Sequence, residues 1–343
     1  MEVKFGVFTP PRGLEWIYKT AELAENGNYD SVWMPDHLVG WGRKPDTLDP
    51  WTTIASMMVK YRRVKFGVGV TDPHRRHPAV LAHQAMTLDS VSSGRFIVGI
   101  GAGEAMNLAP YGISYEKATQ KLEEFLTVVK ALWMQDKVNF KGLFYELKDA
   151  FILPKPSGIP IFVAGNSPKT MGITAKLGDG WIPFKMSPEV YRKNLEKIRG
   201  IARSIGRNPD EITPSILLYT AISRDRDYAR RIVEEQGKIL LAISPRRLKE
   251  LGYKPPTEKL NAHKTIFSLE ILPELEKVKE VPFEALEKSF VYGNAEDCIE
   301  GIKKFIDAGC RYFTLGVLNP GPERDEAIKT YSEKVIQYFK EES

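Results

Sequence analysis

The residues with the clearest chemical potential are an Asp-His pair and a nearby tryptophan, Asp36-His37 and Trp41. They follow the apolar run 31–34, which predicts a short β-strand, and the proline and glycines around them predict a turn. An imidazole and an indole four positions apart, just past a strand end, indicate a catalytic base beside an aromatic wall. A packed surface loop is the alternative interpretation of the same residues.

Three further segments place unusual residues after predicted strands. Gly67 and Gly69 lie inside the predicted strand 64–71, where glycine marks a bulge or the close approach of a ligand. The segment 99–107 has alternating glycines followed by a carboxylate and an amide, and its spacing fits neither a dinucleotide fingerprint nor a Walker loop. We therefore expect a flat aromatic cofactor against this bare backbone. The segment 164–168 opens a predicted helix whose N-terminal amides would suit an anion.

Metal and nucleophilic chemistry have less support. His74 and His77 flank Arg75 and Arg76, and two permanent cations would oppose a divalent ion. We expect these histidines, and His83 after them, to serve in a loop and at a helix start. No GxSxG motif occurs, so covalent catalysis is not expected.

The composition is that of a globular chain with one large core. Its 343 residues are 43% hydrophobic, and no run of about 18 apolar residues predicts a membrane span. The net charge of +5 is spread along the chain, which does not favour a nucleic-acid partner but would suit a small anionic ligand. We expect a cytoplasmic protein, since no leader precedes the first strand-like alternation. Cys298 and Cys310 have no CxxC partner, and core packing is their expected role.

The dominant pattern along the chain is a strand followed by a helix, repeated eight times. The predicted strands span residues 3–8, 31–34, 64–71, 95–101, 159–164, 180–183, 212–223 and 311–317. This order predicts an α/β fold with a parallel sheet, and eight units favour a (β/α)8 TIM barrel over the alternative, a doubly wound open sheet. We expect a single domain over residues 1–343. It has two insertions, one within 136–157 after strand 4 that contains a hairpin, and one over 244–286 after strand 7.

At these segments the chain resembles the bacterial-luciferase-like superfamily of flavin and deazaflavin barrels, and it looks closest to the branch that uses coenzyme F420. Residues 36–41 are similar to the Asp-His-x-x-x-Trp of F420-dependent glucose-6-phosphate and alcohol dehydrogenases, and residues 101–107 to their Gly-x-Gly-Glu-Ala-x-Asn. Residues 69–73, with 76–79, look more like methylenetetrahydromethanopterin reductase. The resemblance covers nearly the whole chain.

The resemblance implies hydride exchange at C5 of the deazaflavin. His37 would be the base that takes the substrate hydroxyl proton, Trp41 would form a wall for the substrate, and Glu104 would exchange a proton at N1 of the cofactor. The bond between Gly69 and Val70 would be a cis peptide behind the ring. The residues expected to contact the cofactor are Asp36, Gly69, Val70, Thr71, Ala102, Gly103, Glu104, Asn107, Gly165, Asn166 and Ser167.

One departure bears on the substrate. Phe184 stands after strand 6, where the sugar-phosphate enzymes have small polar and basic residues, so glucose 6-phosphate is disfavoured and an alcohol is preferred. The alternatives are an F420-dependent reductase of a folate-like pterin, an FMN-dependent monooxygenase, and a silent barrel that only binds the cofactor. A homodimer is expected from the family. The apolar residues Trp51, Ile54, Met57 and Met58 would suit its interface, or would equally face the barrel's own core.

Overall fold

The computed structural model describes residues 2–11, 13–40, 47–264 and 269–342. Its strands are β1 (Lys4–Phe8), β2 (Ser31–Met34), β3 (Lys65–Thr71), β4 (Phe96–Ile100), β5 (Val138–Lys141), β6 (Glu146–Ala150), β7 (Ile161–Val163), β8 (Gly180–Trp181), β9 (Thr213–Ile222), β10 (Val291–Gly293) and β11 (Tyr312–Val317). Its α-helices are α1 (Leu14–Asn26), α2 (Pro50–Lys60), α3 (Pro78–Ser92), α4 (Ala118–Met134), α5 (Pro168–Leu177), α6 (Pro188–Ser204), α7 (Arg226–Ala242), α8 (Pro245–Glu250), α9 (Phe283–Glu287), α10 (Ala295–Asp307), α11 (Glu323–Thr330) and α12 (Gln337–Glu341). Short 3-10 helices occupy Ala105–Asn107, Ala109–Tyr111, Pro209–Glu211 and Leu269–Glu280, and a π-helical segment, Tyr331–Ile336, joins α11 to α12.

Eight parallel strands form a closed barrel. The order around the ring is β9-β11-β1-β2-β3-β4-β7-β8, and β8 pairs again with β9 through Gly180–Thr213 and Trp181–Pro214. This closure confirms the predicted (β/α)8 barrel and excludes the open doubly wound sheet. Because all eight strands run in the same direction, the loops that follow them meet at one mouth of the barrel.

The barrel interior is filled by a layer of large side chains around Trp33. This layer consists of Trp33, Ile97, Phe162, Ile182 and Tyr312, with Phe8, Val70, Ala164 and Leu217 packed on it and partly exposed toward the mouth. A Cβ atom on Gly67 would lie 2.5 Å from Cε3 of Trp33, and one on Gly99 would lie 2.3 Å from the carbonyl oxygen of Val68. The neighbouring Trp33 ring and the β3 backbone therefore leave no room for a side chain at either position, and the barrel's own packing is sufficient to require glycine there.

The first insertion contains the predicted hairpin. Strands β5 and β6 pair antiparallel, and the carboxylate of Glu124 on α4 accepts three backbone N–H bonds from the turn, at 2.8 to 2.9 Å. The hydroxyl of Tyr145 donates to the carbonyl of Pro73 at 3.1 Å, so the hairpin also supports the loop after β3.

A second hydrophobic core forms over the region after β9, and the sequence did not predict it. The core combines α7 with the insertion, through Ala221, Ile232, Val233, Leu241, Ala242, Leu248, Leu251, Leu260, Ile271, Val281, Phe283, Ala285, Leu286 and Phe290. The predicted strand list also lacks β10, which extends the sheet beside the end of β9. The helix that covers the barrel here is α10, through Cys298, Ile302 and Phe305.

Several residues left open by the sequence belong to the core. Trp51, Ile54, Met57 and Met58 on α2 are at most 4% exposed and pack in the main core, so the intramolecular alternative for them is confirmed and they do not offer a dimer interface. Both cysteines are fully buried, which confirms their packing role. Among the described residues, no helix combines the length and the apolar character needed to cross a bilayer.

Candidate active site

Three polar residues from the ends of β2 and β4, the two strands on either side of β3, meet at the barrel mouth. His37 follows β2, and Glu104 and Asn107 lie at the 3-10 turn after β4. Nδ2 of Asn107 is 2.8 Å from Nδ1 of His37 and 3.4 Å from Oε2 of Glu104, and the imidazole and carboxylate atoms are themselves 3.8 Å apart. The imidazole and the carboxylate each keep about a quarter of their surface exposed (28% and 26%), so both remain accessible to a ligand.

Asn107 also fixes the loop that carries His37. Its Oδ1 accepts the backbone N–H groups of Leu38 at 2.9 Å and Val39 at 3.2 Å, and the side chain is buried. The position of the loop after β2 is thus fixed by Asn107 from the loop after β4, and not only by hydrogen bonds within its own turn. Trp41, the predicted aromatic wall, lies outside the described residues.

Asp36 is part of a buried ion-pair network. Its carboxylate accepts from Arg75 at 2.8 Å, Arg76 at 3.1 Å and the indole N–H of Trp51 at 3.0 Å. Burial alone would raise the pKa of Asp36, but the two guanidinium groups outweigh burial and hold it below its usual range. The arrangement suits Asp36 to orienting the loop before His37.

The predicted bulge near the end of β3 lies on the floor of the mouth. The Gly69–Val70 bond is a cis peptide, as the resemblance implied, and the register between β3 and β4 shifts between Val68 and Thr71. Val70 is partly exposed above the Trp33 layer. The buried Thr71 hydroxyl accepts from Arg76 at 3.3 Å. The floor is therefore apolar, with the polar groups of the site arranged around it.

The backbone of the glycine segment after β4 is held from its outer side. The carbonyl of Ala102 contacts Nε2 of His74 at 3.1 Å, and the carbonyl of Gly103 accepts from the hydroxyl of Tyr115 at 3.0 Å. Gly103 has φ +88, a left-handed conformation that favours glycine. His77 is the N-cap of α3, which confirms its predicted helix-start role. No metal-like grouping of histidine, cysteine or acidic residues occurs within the described ranges.

The loop after β7 contacts the second insertion. Ser167 and Thr170 form a capping box that already uses two of the N-terminal amides of α5, which leaves less for an anion than the sequence suggested. The neighbours of Asn166 assign the orientation of its amide: the nitrogen donates to the carbonyl of Gly165 at 2.9 Å, and the oxygen accepts from a guanidinium N–H of Arg247. A partly buried cation from the insertion therefore stands beside this loop.

Lys185 is the main site residue that sequence reasoning missed. It follows β8, is buried, and has φ 55. Its Nζ donates to Oγ of Ser244 at 3.1 Å and lies 4.5 Å from the centre of the Phe184 ring. Burial lowers the pKa of Lys185 to about 7, although the Glu104 carboxylate acts to raise it and Arg247 acts to lower it further. The apolar wall expected from Phe184 therefore has an ionisable group, the amine of Lys185, next to it. The sequence signal for Lys185 was its position just past a barrel strand. Arg247 gave none.

The comparisons with known proteins agree with this geometry. A family model described as luciferase-like monooxygenase matches residues 3–312. An F420-dependent glucose-6-phosphate dehydrogenase of Microbacterium testaceum is 26% identical, over 92% of this chain and 90% of that protein. A 5,10-methylenetetrahydromethanopterin reductase of Archaeoglobus fulgidus is also 26% identical, over 98% of this chain and all of that protein.

A solved structure shares the fold over nearly its full length. It is an F420-dependent secondary alcohol dehydrogenase in complex with an F420-acetone adduct, with a TM-score of 0.84, 24% identity and 98% of both chains covered. At this identity the likeness concerns the fold. The family model covers most of the chain, and from it we conclude that the protein is an oxidoreductase of the luciferase-like monooxygenase family.

Proposed function

We propose that this protein is a coenzyme F420-dependent oxidoreductase that exchanges a hydride between C5 of the deazaflavin and the oxygen-bearing carbon of a small alcohol or carbonyl substrate. The observation that carries the proposal is the triangle of His37, Asn107 and Glu104 at the edge of an apolar floor. Hydride transfer to or from such a carbon is coupled to proton movement at the substrate oxygen and at the cofactor, so two titratable groups are needed. The F420-dependent relatives support the same cofactor.

The residues of the mouth fit a flat cofactor with an anionic tail. Val70, Ala164 and Leu217 leave partly exposed apolar surface for a ring, and Arg247 places a cation beside Asn166. The bound deazaflavin would supply the hydride-carrying carbon. The residues that we propose to hold it are Asp36, Gly69, Val70, Thr71, Ala102, Gly103, Asn107, Gly165, Asn166 and Ser167.

The side chains then divide the proton chemistry between them. His37 would contact the substrate oxygen and exchange its proton, and Glu104 would exchange a proton at N1 of the ring. Trp41 would close the substrate side. In alcohol oxidation the carbinol C–H leaves as hydride and the O–H leaves as a proton, and reduction of the carbonyl reverses both.

The substrate class follows from the wall after β8. Phe184 is apolar and partly exposed, and the cation of Lys185 next to it is already hydrogen bonded to Ser244. A small alcohol or ketone therefore fits this wall better than a sugar phosphate.

Fluorescence quenching of coenzyme F420 by the purified protein tests the cofactor. Binding at micromolar concentration is expected, and its absence, or a protein that is yellow with bound FMN, would overturn the proposal. Glu104→Gln should retain binding and lower turnover by about 100-fold or more. Glu116→Gln, at an exposed position in the same loop, should change neither binding nor turnover. Turnover is measured with secondary alcohols, their ketones, glucose 6-phosphate and a methylene pterin. Activity on the pterin alone would identify the reductase instead.

A further inference from the structure

The hydrogen bonds of Asn107 determine which nitrogen of His37 carries a proton. A side-chain amide has an oxygen that only accepts and a nitrogen that only donates, so its orientation is fixed once one end is assigned. Oδ1 of Asn107 faces two backbone N–H groups, those of Leu38 and Val39, at 2.9 and 3.2 Å. Rotating the amide by half a turn would place its NH2 group against both donors. The nitrogen must therefore face His37.

Nδ1 of His37 is consequently a hydrogen-bond acceptor. It lies 2.8 Å from Nδ2 of Asn107, which is hydrogen-bond distance. The carboxylate of Glu104 would instead attract a proton to the same ring atom, but it lies 3.8 Å away, beyond that distance. The second hydrogen of the amide points to Glu104 at 3.4 Å, so each end of Asn107 has partners. The direct contact decides the assignment.

We infer that Asn107 is a positioning residue that holds neutral His37 with its proton on Nε2, so that His37 presents a hydrogen-bond donor to the carbonyl oxygen of the substrate. Nε2 has no partner among the described residues and is the ring atom left for a ligand. A carbonyl oxygen accepts such a bond, whereas a substrate hydroxyl that must give up its proton would need a bare nitrogen. The bound substrate class is therefore a ketone or aldehyde. This part rests on the proposed function, and the proton position on Nε2 does not.

Nitrogen-15 NMR of the cofactor-free protein labelled at histidine reports the proton position directly. The chain has five histidines, and His37→Gln identifies the signals of His37 by their loss. At mildly alkaline pH, wild-type His37 should show a pyrrole-type Nε2 and a pyridine-type Nδ1. The reverse pattern, or an imidazolium with both nitrogens protonated, would overturn the inference. A failure to bind coenzyme F420 would leave this result unchanged, so the two proposals fail separately.

Two variants separate the donor from the loop anchor. Asn107→Asp keeps an oxygen for the N–H groups of Leu38 and Val39 but replaces the amide donor with an acceptor, so the His37 proton should move to Nδ1. Asn107→Ala removes both functions and should give a mixture of the two forms. Asn166→Asp adds a carboxylate to the same mouth without touching His37 and should leave its signals in place. An unchanged His37 pattern in Asn107→Asp would refute the assignment.

Discussion

Replacing Lys185 with methionine should stabilise the protein at acidic and neutral pH and lose that advantage as the pH rises. Lys185 is buried, and its Nζ has one hydrogen bond, to Ser244. Burial lowers the pKa of this lysine to about 7, so below that pH the folded protein holds a buried charge. Methionine keeps a similar length and apolar volume without the charge.

The size of the effect follows from the shift in pKa. From the ordinary value of 10.5 to about 7, the shift corresponds to roughly 5 kcal/mol as an upper bound. Loss of the hydrogen bond to Ser244 and of the contact with the Phe184 ring offsets about 2 kcal/mol. A net gain of about 1–3 kcal/mol is therefore expected below pH 7. Between pH 7 and 10.5 the unfolded chain binds more protons than the folded one, so the wild type gains stability with pH and the difference shrinks to zero or changes sign.

Thermal unfolding of both proteins across this pH range measures the difference. At roughly 2 °C per kcal/mol, Lys185→Met should melt about 2–6 °C above the wild type near pH 6. Lys148→Met removes a charge from the exposed face of β6 and serves as the matched control, without this pH dependence. A Lys185→Met protein that melts below the wild type near pH 6 would refute the reasoning.

Three other substitutions test separate parts of the structure. Gly67→Ala places a methyl group against Trp33 and should lower the free energy of unfolding, measured in urea, by about 1–3 kcal/mol. Gly200→Ala, in α6 with open space around it, should raise the same free energy by about 0.5–1 kcal/mol. Equal effects would contradict the packing argument. Asp36→Asn removes the carboxylate from a buried pair of arginines and should lower the free energy of unfolding by about 3 kcal/mol, and a neutral result would show that the network is not stabilising. Arg247→Met should weaken coenzyme F420 binding by about 10-fold in fluorescence titration, as loss of one charged contact does. Arg246→Met, at an exposed position, should leave the affinity unchanged. Equal affinities of the two variants would show that Arg247 does not contact the cofactor.

The barrel could be predicted because its information is local and repeated. Each of the eight strands is a short apolar run followed by a helical pattern, and parallel pairing follows from that order. The strand β10 could not be found in this way, since its three residues depend on tertiary contacts, namely pairing with the end of β9 and packing against α7 and α10. Likewise, the sequence of α7 shows an amphipathic helix but not that its apolar face belongs to a separate core.

The residues of the candidate site also fall into a group that the sequence predicts and a group that it does not. His37, Glu104 and Asn107 stand directly after strands that the sequence identifies, so the barrel geometry brings them together. For Lys185 and Arg247 the sequence shows only basic residues, and the burial of Lys185 and partial burial of Arg247 depend on how the insertion packs over the mouth. For the glycines near Trp33 the sequence could not show that close packing against the ring also requires a residue without a side chain.

The second hydrophobic core divides this enzyme into two parts, the barrel and the region around the insertion, and each part packs around its own core. The insertion packs with α7 around this core, and its contacts with the mouth include Ser244 with Lys185, Arg247 with Asn166, and the carbonyl of Ala262 with the N–H of Met106 at 3.3 Å. Substitutions on its inner surface can therefore alter which molecules are admitted without disturbing the strands that hold His37 and Glu104.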